Sequence, residues 1–217
     1  MSQDKLPVVI LISGRGSNMQ AIIDAWQSNN LDIEINAVIS NRPDAAGLKL
    51  AEKAGLKTIV INHQDFGSRE AFDLALMKEI DEYEPALVIL AGFMRILNDN
   101  FVNHYLGRMF NIHPSLLPKY PGLNTHQRAL NGKDDIHGAS IHFVTTELDG
   151  GPVVIQVKVP VKPDDDADSL AARVLVQEHK IYCLAIQWYA EKRLQLDNNK
   201  IVLDGKVFTQ PYLYEAG

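Results

Sequence analysis

With 217 residues, 46% of them hydrophobic and 22% charged, the chain is long enough to bury a core without staples and has an ordinary globular composition. Its net charge of −6 argues against nucleic acid or an anionic membrane as a partner, because phosphate-rich surfaces select basic faces; a local basic pocket for one small anion remains open. Cys183 is the single cysteine, which excludes an internal disulfide, and its neighbours Ile181, Tyr182 and Leu184 point to a buried structural thiol. Met1 to Lys5 carry mixed charge, and the apolar run that follows ends near Ile12. That run is too short and wrongly flanked for a signal peptide or a membrane span, so a cytoplasmic protein is expected.

Short apolar runs alternate with amphipathic stretches, the pattern of a mostly parallel sheet covered by helices. Val8 to Ile12 reads as a buried first strand, followed by a turn over Ser13 to Asn18 and a helix through about Gln27. Ile33 to Ser40 reads as a strand that Asn41, Arg42 and Pro43 break. A helix around Ala45 to Ala54 leads to a strand near Thr58 to Ile61, and Ser68-Arg69-Glu70 opens a helix running to about Tyr83. Ala86 to Ala91 and Met109 to Ile112 are further buried strands, separated by a short helix from Asp99 to Leu106 that Asn98 caps and Gly107 ends.

A long irregular segment with Pro114, Pro118, Pro121 and Gly122 comes next, and loops of that length in compact domains are usually functional. Ile141 to Val144 and Val153 to Val161 flank Leu148-Asp149-Gly150-Gly151 and read as antiparallel strands added to the sheet. Asp164 to Asp168 lead acids into a helix from Ser169 to about Lys192, and a small hairpin from Ile201 to Phe208 turns at Asp204-Gly205. The expected class is α/β: a single-domain, open, mostly parallel Rossmann-like sheet with helices on both faces and antiparallel strands added near the C-terminal half.

Gly14-Arg15-Gly16-Ser17-Asn18 follows a strand and opens a helix, so its backbone N–H groups form an anion site, with Ser17 and Asn18 capping the helix. A tight turn without a ligand is the other reading. A dinucleotide fingerprint would want glycine where Met19 stands and an acid where Asn41 stands, so NAD is not expected and a single phosphomonoester fits better. Asn111-Ile112-His113 lies at the carboxyl end of a strand, with Asn111 and His113 on one side and Ile112 on the other. A carboxamide and an imidazole there suit acyl transfer, one donating to an oxyanion and the other moving a proton, although the pair could equally satisfy loop backbone. Asp149 would favour the imidazolium of His113 if the fold brought them together; otherwise it is an ordinary turn acid. No nucleophilic Ser or Cys motif appears, His137 and His142 make a poor metal pair, and no metal is expected.

Three longer stretches carry more information. Phe110 to Pro118, His137-Gly138-Ala139-Ser140 and Thr145 to Pro152 together resemble the formyltransferase family that uses 10-formyltetrahydrofolate. With Ile12 to Asn18, Ala91 to Leu97 and Lys119-Tyr120-Pro121-Gly122, the resemblance narrows to the branch that formylates glycinamide ribonucleotide in purine biosynthesis and runs from about Val8 to Trp188. Arg15 stands where relatives often carry Asn, and Asn124 where they often carry His.

The resemblance implies that Asn111, His113 and Asp149 are catalytic. It assigns Gly16, Ser17 and Asn18, with Leu175, Val176, Gln177 and Glu178, to the ribonucleotide, Glu178 contacting its ribose. Arg69, Met94, Arg95, Ile96, Leu97, Asn111 and Thr145, Thr146, Glu147, Leu148 and Asp149 are assigned to the folate. Read without the resemblance, Arg69 is a first-turn helix cation and Glu178 a solvated helix residue. The implied layout is one domain over 1–217, with a phosphate-binding part over about 1–100, a folate and catalytic part over about 86–190 and a hairpin near 200–209. The expected co-substrate is 10-formyltetrahydrofolate and the acceptor glycinamide ribonucleotide; a formyltetrahydrofolate hydrolase is the alternative. A methionyl-tRNA formyltransferase would be expected to add a tRNA-binding module and a basic face, and either a monomer or a homodimer is compatible with the sequence.

Overall fold

Five apolar runs that become parallel strands set the frame of the first part of the chain. The structure, a computed structural model, describes residues 5–215, so most of the mixed-charge start lies outside it. By internal packing the chain divides into two units, Met1–Asn111 and Ile112–Gly217.

In the first unit, β1 (Leu6–Ile12), β2 (Ile33–Ser40), β3 (Thr58–Val60), β4 (Leu87–Leu90) and the start of β5 (Met109–His113) alternate with helices. The helices are α1 (Ser17–Gln27), α2 (Ala46–Lys53), α3 (Arg69–Asp81) and α4 (Asp99–His104). Every pairing among these strands is parallel: β1 lies between β2 and β4, β2 adds β3, and β4 adds β5, with Ile10 opposite both Val38 and Ile89. Val8 to Ile12 are fully buried, as continuous apolar strands covered on both faces must be. The Ser68 and Asn98 side chains accept from Ala71 N and Phe101 N, capping α3 and α4 as their sequences predict. At α1 the expectation fails. Gly16 is the N-cap, with φ 76° and no side-chain cap bond, so Ser17 and Asn18 sit inside the first turn.

The second unit is built differently. Here β6 (Ile136–Phe143) and β7 (Val153–Pro160) pair antiparallel, as the sequence predicts, and β11 (Tyr212–Tyr214) joins β7 in parallel. Helix α6 (Ala167–Ala190) packs on β6 and β7 and opens with a capping box between Asp166 and Ser169. Its buried positions Leu170, Val174, Glu178, Tyr182 and Ala185 recur at helical spacing. β8 (Leu194–Asp197), β9 (Lys200–Leu203) and β10 (Lys206–Phe208) form a small antiparallel sheet that contains the expected hairpin. The irregular segment after His113 contains a short helix that the sequence reading lacks, α5 (Thr125–Asn131). Cys183 takes part in no disulfide and is half-buried on α6 rather than fully buried. Among the described residues no helix is long and apolar enough to cross a membrane.

Candidate active site

In the first unit the glycine loop is held by close backbone packing. A Cβ built on Gly16 would lie 2.8 Å from the Gly47 Cα, and Gly47 N donates to Gly14 O at 2.9 Å. Only glycine meets both the positive φ and that approach. Gly16 and Asn18 are buried and Ser17 half-buried at the start of α1. The loop opens on a cavity of about 500 Å³ whose lining includes Arg15, Arg42, Arg95, His63 and Asn41, with no Asp or Glu among the described lining residues. An anion therefore meets backbone N–H groups, a helix N-terminus and cations together.

The segment expected to take the folate lies in the same unit. Met94 and Ile96 are 69% and 55% exposed, an unusual display of apolar side chains on one short loop. The Arg95 guanidinium lies 4.7 Å from the centre of the Phe72 ring. Asp73, buried beneath, accepts from Asn98 N at 2.7 Å; burial raises its pKa, opposed by that bond and by the charges of Arg95 and Arg69. Arg69 itself is exposed in the first turn of α3, so Arg69 and Arg95 share one acidic neighbour while Leu97 is half-buried.

Strand β5 carries Asn111 and His113 two residues apart, and the division between the units falls inside it, after Asn111. Asn111 is half-buried opposite Leu90. In the second unit His113 is nearly sealed, and its Nε2 donates to Tyr120 O at 2.8 Å. Its Nδ1 lies 3.4 Å from Asp149 Oδ2. Both ring nitrogens thus face oxygen atoms, one a backbone carbonyl and the other a carboxylate. The Asp149 carboxylate is held in turn by Gly122 N at 2.8 Å, and its Oδ1 lies 3.8 Å from His142 Nε2. Asp149 is therefore not merely a turn acid.

The backbone around these groups is fixed by buried polar side chains. Ser140 Oγ donates to Ser115 O and accepts from Leu117 N, Ser115 Oγ donates to Lys119 O, and Gln156 Nε2 donates to Leu117 O. The loop bearing Asp149 runs through half-buried Thr145 and exposed Thr146, Glu147 and Leu148, and Asp149 takes φ 51°. A Cβ on Gly151 would lie 1.9 Å from Phe143 O, so the turn closes only with glycine there. Three further histidines surround His113. Burial lowers the pKa of His126, His137 and His142, His137 to about 4, keeping all three neutral near pH 7. The position of His126 gave no signal in the sequence, whereas His137, Tyr120 and Gly122 stood in the motifs that carry the resemblance without a role attached.

On α6, Glu178 is buried, which overturns its reading as a solvated helix residue. Leu175 and Gln177 are half-buried and Val176 is 53% exposed. Successive helix positions point about 100° apart, so these four side chains cannot all face one ligand. Among the described residues no three His, Cys, Asp or Glu side chains are placed to hold a metal.

An α/β chain with a glycine loop at a helix start and a buried His–Asp pair at a strand end is the class this fold and site define. Residues 6–186 match the formyl transferase family, and the chain belongs to it. It is 56% identical over 199 residues to phosphoribosylglycinamide formyltransferase of Escherichia coli strain K12, covering 92% of this chain and 94% of that one. The protein of the same name from Haemophilus influenzae is 44% identical with the same coverage. A solved phosphoribosylglycinamide formyltransferase from Coxiella burnetii matches with a TM-score of 0.94 at 51% identity, over 97% of this chain and 100% of that one. The expected α/β fold with a mostly parallel sheet is thus the observed one.

Proposed function

We propose that this chain transfers the formyl group of 10-formyltetrahydrofolate to the amine of glycinamide ribonucleotide, giving formylglycinamide ribonucleotide and tetrahydrofolate, a step of purine biosynthesis in the cytoplasm. The observation that carries this reading is the buried contact of His113 with Asp149, made in a chain of the formyl transferase family. The amine nitrogen attacks the formyl carbon directly, and the bond from that carbon to the folate nitrogen breaks as the tetrahedral intermediate collapses. Binding both substrates on one chain supplies much of the rate through orientation.

Asn111 donates its carboxamide N–H to the oxyanion, and His113 donates from its Nδ1 side, because the Nε2 contact to Tyr120 O is the shorter and firmer one. Asp149 holds the imidazolium and takes the amine proton through water, and that proton passes to the departing folate nitrogen to give tetrahydrofolate. The glycine loop receives the ribonucleotide phosphate, with Glu178 on the ribose. Arg69, Met94 to Leu97 and Thr145 to Asp149 receive the folate. The test is incubation with 10-formyltetrahydrofolate in the presence and absence of glycinamide ribonucleotide. Tetrahydrofolate formation that depends on the ribonucleotide is expected; equal formation without it would mean a hydrolase and overturn the proposal.

A further inference from the structure

The carboxyl ends of four parallel strands of the first unit meet in a hydrogen-bond chain whose central link is buried. Ser13 follows β1, Asn41 follows β2, His63 lies beyond β3 and Met94 beyond β4. Met94 N donates to Ser13 Oγ at 2.7 Å, and that hydroxyl donates to Asn41 Oδ1 at 2.6 Å. Asn41 O accepts from His63 Nδ1 at 2.8 Å, which places a hydrogen on that ring nitrogen. Ser13 N donates to Gly92 O at 3.2 Å. Ser13 and Asn41 are 5% and 3% exposed, so their mutual hydrogen bond is shielded at the floor of the cavity that the glycine loop opens on.

The hydroxyl of Ser13 is used in both directions: its one hydrogen goes to Asn41, and its oxygen takes Met94 N–H. Asn41, which stands where a dinucleotide-binding protein would present an acid, spends its side-chain oxygen on the same serine. Ser13 is also covalently joined to Gly14, whose carbonyl holds Gly47. A shift of the glycine loop therefore moves the residue that anchors the Met94 backbone, while the Met94 side chain remains displayed to solvent.

We propose that Ser13 is a positioning residue that couples the glycine loop to the Met94–Leu97 segment, so that an anion bound at the loop sets the geometry of that segment. This rests on the reading that the two segments receive the ribonucleotide phosphate and the folate. Coupling of this kind is reciprocal, so the folate segment equally biases the loop.

The test titrates inorganic phosphate into the full chain and follows the backbone amide resonances of Gly16, Ser17 and Met94 to Leu97. Phosphate is expected to shift Gly16, Ser17 and Met94 with one shared midpoint. In Ser13→Ala the loop amides still respond and the Met94 response is lost, whereas Ser13→Thr, which keeps the hydroxyl, restores it. A Met94 response that survives in Ser13→Ala overturns the coupling. Loop amides that respond without Met94 in the unaltered chain also overturn it, leaving the phosphate assignment intact. Loop amides that ignore phosphate remove that assignment and the coupling with it. Should Ser13→Ala fail to fold, Asn41→Ala, which leaves the hydroxyl without its acceptor, is read the same way, with a diminished Met94 response expected and an unchanged one counting against the coupling.

Discussion

Replacing Asp149 with asparagine removes one negative charge and keeps the shape around it. The asparagine oxygen can still accept from Gly122 N, now at 2.8 Å from Asp149 Oδ2, so the loop has no reason to move. That same oxygen would face His113 Nδ1 as a neutral acceptor rather than an anion, while the NH₂ takes the place of Oδ1 beside His142 Nε2. At 3.4 Å and an effective dielectric of about 20, two unit charges attract by roughly 5 kcal/mol. Both side chains are at most 10% exposed, so screening by solvent is weak. If roughly 3 to 4 kcal/mol of this is felt in the transition state, turnover falls about 100- to 1,000-fold. The assay is steady-state formyl transfer with both substrates varied, beside a thermal melt. The expected result is a collapse of kcat with nearly unchanged KM values and melting temperature. Turnover within roughly tenfold of the unaltered chain would refute the charge argument.

Two further predictions concern the frame of the site. Gly16→Ala introduces a Cβ 2.8 Å from the Gly47 Cα at a φ of 76°, so stability should fall by roughly 2 to 3 kcal/mol in denaturant unfolding. The KM for the ribonucleotide should rise with it. His137 is held neutral by burial down to about pH 4, whereas the unfolded chain protonates it near its ordinary value of 6.5. Its contribution to stability is therefore complete above about pH 6.5 and is lost as pH falls towards 4, by at most about 3 kcal/mol, with burial of His126 and His142 acting in the same direction. Urea unfolding at pH 7.5 and 5 should show the loss, and His137→Gln should flatten it; a His137→Gln chain with the same pH slope would count against this assignment.

Elements with strong local signals are legible in the sequence. β2 occupies the expected Ile33–Ser40, because its apolar run ends at the breaker Asn41-Arg42-Pro43. Ser68 and Asn98 announce their helices because a cap is a contact between near neighbours. Helix α5 is hidden because its N-cap, Asn124, works by a left-handed backbone with no side-chain bond, and the Pro121-Gly122 pair before it reads as loop. β6 begins at Ile136 rather than Ile141, since His137 and Gly138 carry little strand preference and are held by pairing with β7. β11 follows Pro211 and exists only because β7 offers an edge.

The candidate site divides along the same line. Glycine spacing and the Asn-x-His motif are local and readable. The His113–Asp149 contact and the Ser13–Asn41 bond join distant positions, and no local pattern contains them.

Asp149 occupies a backbone conformation, φ 51°, that glycine adopts freely and most residues resist by about 1 kcal/mol, aspartate somewhat less. The fold thus carries a standing handicap at the residue assigned to the proton. Asp149→Gly would relieve the turn by that amount, yet it would leave Gly122 N without its acceptor and His113 without its carboxylate, losses of at least the same size, so melting and formyl transfer should fall together. The carboxylate assigned to the chemistry is thus also what keeps its own turn in place.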